Sequence, residues 1–209
     1  MAESVFYRAR RAAAALFTRR CVCCGEHFSG RLCLCPKCAA QLVPAEETRG
    51  DLRVCSAYVY SGAARDVMLR FKFGEKPALC ADTLADWLCE AFDRHYGGEN
   101  FDFVVSVPSF GAKPRMELFI KDFAMRRGLC YRPRLLAKIR PTQKQHSISA
   151  AERRTNLRGA FAAGAEVSGR KILLIDDIFT TGSTARECAA ALLAAGAASV
   201  SVFTVLRAE

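Results

Sequence analysis

Apolar positions along this chain come in short blocks that switch between the spacing of strands and the spacing of helices. Residues 172–175 read Ile-Leu-Leu-Ile, a continuous apolar run of the kind found in a strand buried on both faces. Residues 54–60 and 199–206 are rich in β-formers, and 103–107 is a short β run closed by Pro108. Between them lie helical stretches. One spans 62–71, supported by Asp66 and Arg70 at i,i+4. A second spans 79–96, with Leu84, Trp87, Leu88 and Ala91 on one stripe and Gly97-Gly98 at its end. Further helices are predicted over 3–17, 115–127 and 183–195, and a short apolar run occupies 135–139. Strands alternating with helices predict right-handed crossovers and a parallel sheet, hence an α/β fold. Residues 44–51 read as a linker, and 140–156, polar, basic and aperiodic, has the composition of a mobile loop.

Composition narrows the class. At 209 residues and 51% hydrophobic, the chain can bury one sizeable core and a small appendage. No apolar stretch approaches the ~18 residues that a membrane span requires. The arginines at 8, 10, 11, 19 and 20 among alanines superficially resemble a transit peptide. However, the segment carries Glu3 and runs into a cysteine cluster without a small-residue cleavage site, so a packed helix is the better reading and a membrane-surface helix the lesser alternative. The net charge of +10 is local: residues 112–158 hold 13 Lys/Arg against 3 Asp/Glu, and the remainder balances at 18 each. That segment would suit a polyanionic partner.

Eleven cysteines is a high and odd count, which argues against a disulfide scaffold and for a reduced, cytoplasmic setting. Six lie between 21 and 38. Cys21-x-x-Cys24 and Cys35-x-x-Cys38 have the spacing with which two CxxC turns pinch one tetrahedral Zn²⁺. A full thiolate set leaves no open coordination position, so the zinc would be structural. Cys23, Cys33 and His27 are alternative ligands ranked below these four.

The chemistry concentrates at the end of the central apolar run. Asp176 and Asp177 follow it, then Thr180, Thr181, Gly182, Ser183 and Thr184, and the next helix begins there. Hydroxyls and backbone N–H groups at a helix N-terminus form an anion site suited to phosphate. Two carboxylates beside it would repel phosphate and suit sugar hydroxyls or Mg²⁺ instead. A sugar phosphate satisfies both halves. An ordinary helix cap by Thr180 or Ser183 would explain the hydroxyls but not the adjacent acids.

This run resembles the binding signature for phosphoribosyl pyrophosphate (PRPP) in type I phosphoribosyltransferases. The resemblance implies that Asp176 and Asp177 take the ribose hydroxyls and residues 180–184 the 5-phosphate. Over nearly its full length the chain is similar to the ComF family, which joins a four-cysteine module to such a domain. The match is carried by the paired CxxC module, Tyr60-Ser61-Gly62, Lys72-Phe73-Gly74, the run 104–108, Thr142-x-x-Gln145 and the stretch from Ser149 through Glu152-Arg153 to Phe161. It implies a zinc knuckle with a helix over 1–43 and a phosphoribosyltransferase-like parallel sheet flanked by helices over 52–209. It also implies phosphate contacts from Arg115, Lys113, Lys144 and Arg153. One departure is that residues 109–119 lack the Gly and Asn of the family's pyrophosphate-contacting loop, a change that bears on turnover more than on binding.

Two functions follow. The first is an enzyme that binds Mg²⁺-PRPP and transfers its phosphoribosyl group to an acceptor, with Asp176, Asp177 and Arg115 at the reacting centre. The second is a non-catalytic binder of single-stranded DNA, or an adaptor for a DNA-uptake helicase, using the basic segment. The chain lacks GxGxxG after a strand and GxxxxGK[ST] throughout, which excludes dinucleotide-dependent oxidoreductases and P-loop NTPases.

Overall fold

The computed structural model describes residues 18–48, 50–75, 77–108, 115–141 and 157–208. The helix expected over 3–17, most of the segment after Pro108 and most of the basic loop lie outside these residues. A four-stranded parallel sheet of order β3-β8-β7-β4 organises the rest: β3 (Arg53–Val59), β4 (Phe103–Ser106), β7 (Lys171–Phe179) and β8 (Ser199–Arg207). Strands β1 (Thr18–Arg20) and β2 (His27–Ser29) pair antiparallel at the N-terminal side, and β5 (Leu136–Lys138) pairs with β6 (Phe161–Ala163).

The continuous apolar run is explained by helices on both faces of the sheet. Leu173 and Ile175 pack with α2 (Gly62–Phe73), α3 (Ala78–Tyr96) and α4 (Glu117–Arg127). Ile172 and Leu174 pack on the opposite face with Ala185, Cys188, Ala189 and Leu192 of α5 (Ser183–Ala194). All four strand residues are fully buried, which a period-2 alternation of polar and apolar residues could not have produced.

Strand β7 is longer than expected. Pairing with β8 continues through Asp176↔Thr204, Ile178↔Leu206 and Phe179↔Arg207, so the acid pair sits within the strand rather than after it. β4, in contrast, stops with Ser106 opposite Ile175. Beyond that point β7 outruns its neighbour at the C-terminal edge of the sheet, which is where ligands bind in open parallel sheets.

The expected linker is not a free connection. Pro44↔Tyr58 and Thr48↔Val54 are antiparallel bridges to β3, and Ala45 N donates to Ala57 O at 3.2 Å. The segment thus covers an otherwise exposed sheet edge. The cysteine module is fused to the same core. Cys33 N donates to the buried Thr83 Oγ1 of α3 at 2.9 Å. Arg31 pairs with Asp86 of α3, which also pairs with Arg126 of α4. Helix α3 is buried around most of its circumference because the sheet, α4 and the module all pack on it.

Candidate functional site

Where β7 outruns β4, a cavity of about 450 Å³ opens. It is lined by Tyr60, Lys72, Val107, residues 176–185 and Ala208, so the acid pair and all five residues from Thr180 to Thr184 share one space. Because side chains alternate along a strand, the two acids leave β7 on opposite faces. Asp177 follows Leu173 and Ile175 toward α2, and Asp176 follows Ile172 and Leu174 toward α5. They meet at the sheet edge, where Asp177 N donates to Asp176 Oδ1 at 2.9 Å.

The two carboxyls differ in environment. Removal from water, and secondarily the Asp177 charge, push the Asp176 carboxyl from 3.8 up to about 7. Near neutrality it therefore exists in both protonated and ionised forms, able to donate to or accept from a hydroxyl. The thiol of Cys188 on α5 is pushed up by burial and, next, by the charge of Asp176, as expected if Asp176 faces that helix. Asp177 instead pairs with Lys72 Nζ at 2.8 Å.

The loop after β7 is shaped by Gly182, in the left-handed region at φ +72, immediately before α5. A Cβ there would stand 2.5 Å from Phe179 Cζ and 2.6 Å from Arg186 Nη1. Gly182 has no side chain to cap the helix, so the N-terminus of α5 presents its backbone donors to the cavity. Ser183, predicted as a possible cap, is instead the first helical residue. Its Oγ lies 3.0 Å from Thr181 Oγ1, which gathers two hydroxyls at the same end. Arg186, which the sequence did not single out, braces this loop. Its Nη1 donates to Thr181 O at 2.8 Å, and its Nε to Asp51 Oδ2 at 2.9 Å.

Arg115 stands apart from the cavity lining. Its Nη1 donates to the carbonyls of Phe71, Lys72 and Gly74, at 3.0, 2.8 and 3.2 Å, and so closes the C-terminus of α2. That helix end carries Lys72, a cavity residue to which sequence reading assigned no role. A lysine in the last turn of a helix ordinarily reads as a complement to the helix dipole, and only the tertiary packing brings it to Asp177. Lys113, Lys144 and Arg153 lie outside the described residues.

The four cysteines converge. The Sγ atoms of Cys21, Cys24, Cys35 and Cys38 all lie within 4.8 Å of one another, with Cys24 and Cys35 at 3.7 Å. Zn–S bonds of about 2.3 Å in a tetrahedron give an edge of about 3.8 Å, so the donor set fits zinc in identity, number and spacing. Cys21 and Cys24 sit on a turn after β1, closed by Gly25 N to Cys21 O at 3.0 Å. Cys35 and Cys38 flank the start of the short helix α1 (Pro36–Ala39), and Val22 N to Cys33 O at 2.9 Å ties the halves together. Cys23, Cys33 and His27 are not in the group; Cys23 Sγ faces Ala63 O at 3.7 Å. A second convergence, Glu47, Cys55 and His95, has a guanidinium at its carboxylate: Arg53 Nε lies 2.6 Å from Glu47 Oε1.

Residues 80–209 match the phosphoribosyl transferase domain family. The chain is 28% identical over 203 residues to the DNA utilization protein YhgH of Salmonella typhimurium, covering 90% of this chain and 89% of that protein. It is 34% identical over 77 residues to competence protein F of Haemophilus influenzae, covering 35% of this chain and 34% of that protein. Among solved structures, the glutamine PRPP amidotransferase of B. subtilis aligns at 19% identity with a TM-score of 0.45. The alignment covers 75% of this chain, and the chain spans about a third, 32%, of that structure's length.

Proposed function

The chain belongs to the phosphoribosyl transferase domain family, as a ComF-type member, and on that premise we propose that its cavity binds PRPP or a closely related ribose phosphate. The observation that carries this reading is the shared lining of one cavity by an acid pair and an uncapped helix N-terminus rich in hydroxyls. The 5-phosphate takes the donors of residues 181–184. Asp176 and Asp177 take the ribose hydroxyls, Asp176 as either donor or acceptor. A Mg²⁺ ion accompanying a diphosphate would lie within reach of these carboxylates and supply charge neutralisation. In a transfer reaction the bond from C1 to the departing pyrophosphate breaks as the bond from C1 to the acceptor forms. The protein's part is positioning and electrostatics, without a covalent nucleophile. The four cysteines hold a structural zinc ion.

Thermal unfolding tests the binding claim. With Mg²⁺ present, millimolar PRPP raises the melting temperature of the wild type, and Asp177→Asn removes the shift. An unshifted wild type overturns the reading.

The names of the relatives, together with the charge concentrated in residues 112–158, favour a second reading in which single-stranded DNA is a partner. That reading expects salt-sensitive DNA binding that weakens when Lys144, Arg153 and Arg154 are changed together to Ala. Unchanged affinity would count against that surface.

A further inference from the structure

We propose that Lys72 is the residue that recognises an anionic group on C1 of the bound sugar, exchanging its partner Asp177 for that group, and that Arg115 acts by positioning Lys72. This inference rests on the ribose-phosphate reading above. The cavity carries two acids, yet the ligand class it fits is itself strongly anionic. Among the described residues that line it, Lys72 is the only basic one. Its ion pair with Asp177 is 2.8 Å long, and the two side chains keep 30% and 22% of their surface exposed. A pair with this much solvent contact is weakly held and open to exchange, unlike a sealed ion pair in a core.

The position of Lys72 suits a C1 substituent. The phosphate donors lie at the start of α5, while Lys72 meets Asp177 inside β7, five residues before Gly182 in the chain. In ribofuranose the ring oxygen joins C1 to C4, and C4 carries C5 with its phosphate. The phosphate and C1 therefore lie on opposite sides of the ring oxygen, while the 2-hydroxyl sits on C2 next to C1. A sugar with its phosphate at α5 and its hydroxyls on the acids directs C1 away from the phosphate donors. A group on C1 then enters the space beside Asp177 that the Lys72 ammonium can reach.

Arg115 fixes this arrangement from outside. One guanidinium nitrogen accounts for three carbonyls at the end of α2, of Phe71, Lys72 and Gly74. The turn is tight: a Cβ on Gly74 would lie 2.3 Å from Arg70 O. Losing Arg115 frees the backbone that aims Lys72 without removing any group that touches the ligand.

Calorimetric titration of the full chain with PRPP and, separately, ribose 5-phosphate, both in Mg²⁺, tests the assignment. The wild type is expected to favour PRPP, and Lys72→Met to lose about tenfold or more in PRPP affinity, the worth of a charge-assisted contact, while ribose 5-phosphate stays within about twofold. Arg115→Ala should lower the PRPP to ribose 5-phosphate affinity ratio in the same direction, which a purely structural role would leave unchanged. Lys72→Gln serves as a second variant if Lys72→Met does not fold. Equal weakening of both ligands, or of neither, overturns the assignment while leaving the cavity reading intact. A wild type that binds neither sugar overturns both.

Discussion

At the scale of single residues, Asp176 and Gly182 are the cavity positions whose surroundings constrain them most visibly, one through its raised carboxyl and the other through its left-handed backbone. Asp176 binds its proton more tightly in the folded chain than in the unfolded one, because burial and Asp177 raise it to about 7 from 3.8. Between about pH 4 and pH 7 the folded state therefore holds more protons than the unfolded state, and stability falls as pH rises through that window. Removal from water and the Asp177 charge raise the Asp176 carboxyl, while the hydrogen bond from Asp177 N and the Lys72 charge partly offset them. The Asp176 contribution to stability should accordingly fall from about pH 4 to 7, opposed by His95, whose imidazole is held below its ordinary range by burial. The melting temperature of Asp176→Asn should therefore fall less, or rise more, over that window than that of the wild type, and identical pH profiles would contradict the assignment. At Gly182, alanine must hold a left-handed conformation and displace the Phe179 ring or the Arg186 guanidinium. Urea unfolding of Gly182→Ala should show a loss of about 1–2 kcal/mol, with impaired phosphate binding. The acids and the Thr-Gly-Ser cluster were legible in the sequence because their types are unusual together at a strand end. The roles of Lys72 and Arg186 were not, because Lys72 reaches Asp177 from far away in the chain and Arg186 braces the nearby Thr181 carbonyl against the distant Asp51.

Among the elements, β7 and α3 have the largest consequences. The sequence located the apolar core of β7, but its end depends on how far β8 continues beside it and where β4 stops, and neither can be read from β7 itself. That mismatch in strand length creates the cavity. The helix boundaries were legible to within about two residues for α2 and α4, where glycines and periodicity mark the ends. The expected linker proved to be an edge cover for β3, which its polar composition concealed. Helix α3 joins the cysteine module to the sheet domain through Asp86, held between Arg31 and Arg126. All three side chains are less than one-fifth exposed, at 12%, 18% and 8%. Asp86→Ala leaves two largely buried guanidinium groups without that carboxylate, and denaturant unfolding should register a loss of about 3 kcal/mol. A change near zero would mean that the Asp86 ion pairs contribute nothing to docking the module.

For the molecule as a whole, the cysteine module and the sheet domain form one buried cluster, in which Cys21, Cys33, Cys35 and Cys38 pack with α2, α3 and the sheet. Metal occupancy should then influence the stability of the entire chain. Elemental analysis is expected to find about one zinc ion per chain, and a strong chelator to lower the melting temperature of the whole protein; a metal-free protein that melts unchanged would contradict a structural zinc. Helix α2 links the two regions, meeting the module at Ala63, where Cys23 Sγ lies 3.7 Å from the carbonyl, and the cavity at Lys72. Binding of PRPP is proposed for the cavity at the end of β7. Calorimetric titration of the zinc-loaded full chain with PRPP in Mg²⁺ tests it most directly: saturable binding of about one PRPP per chain, lost in Asp177→Asn, is the predicted result. The absence of measurable heat and of any thermal stabilisation at millimolar PRPP would contradict it.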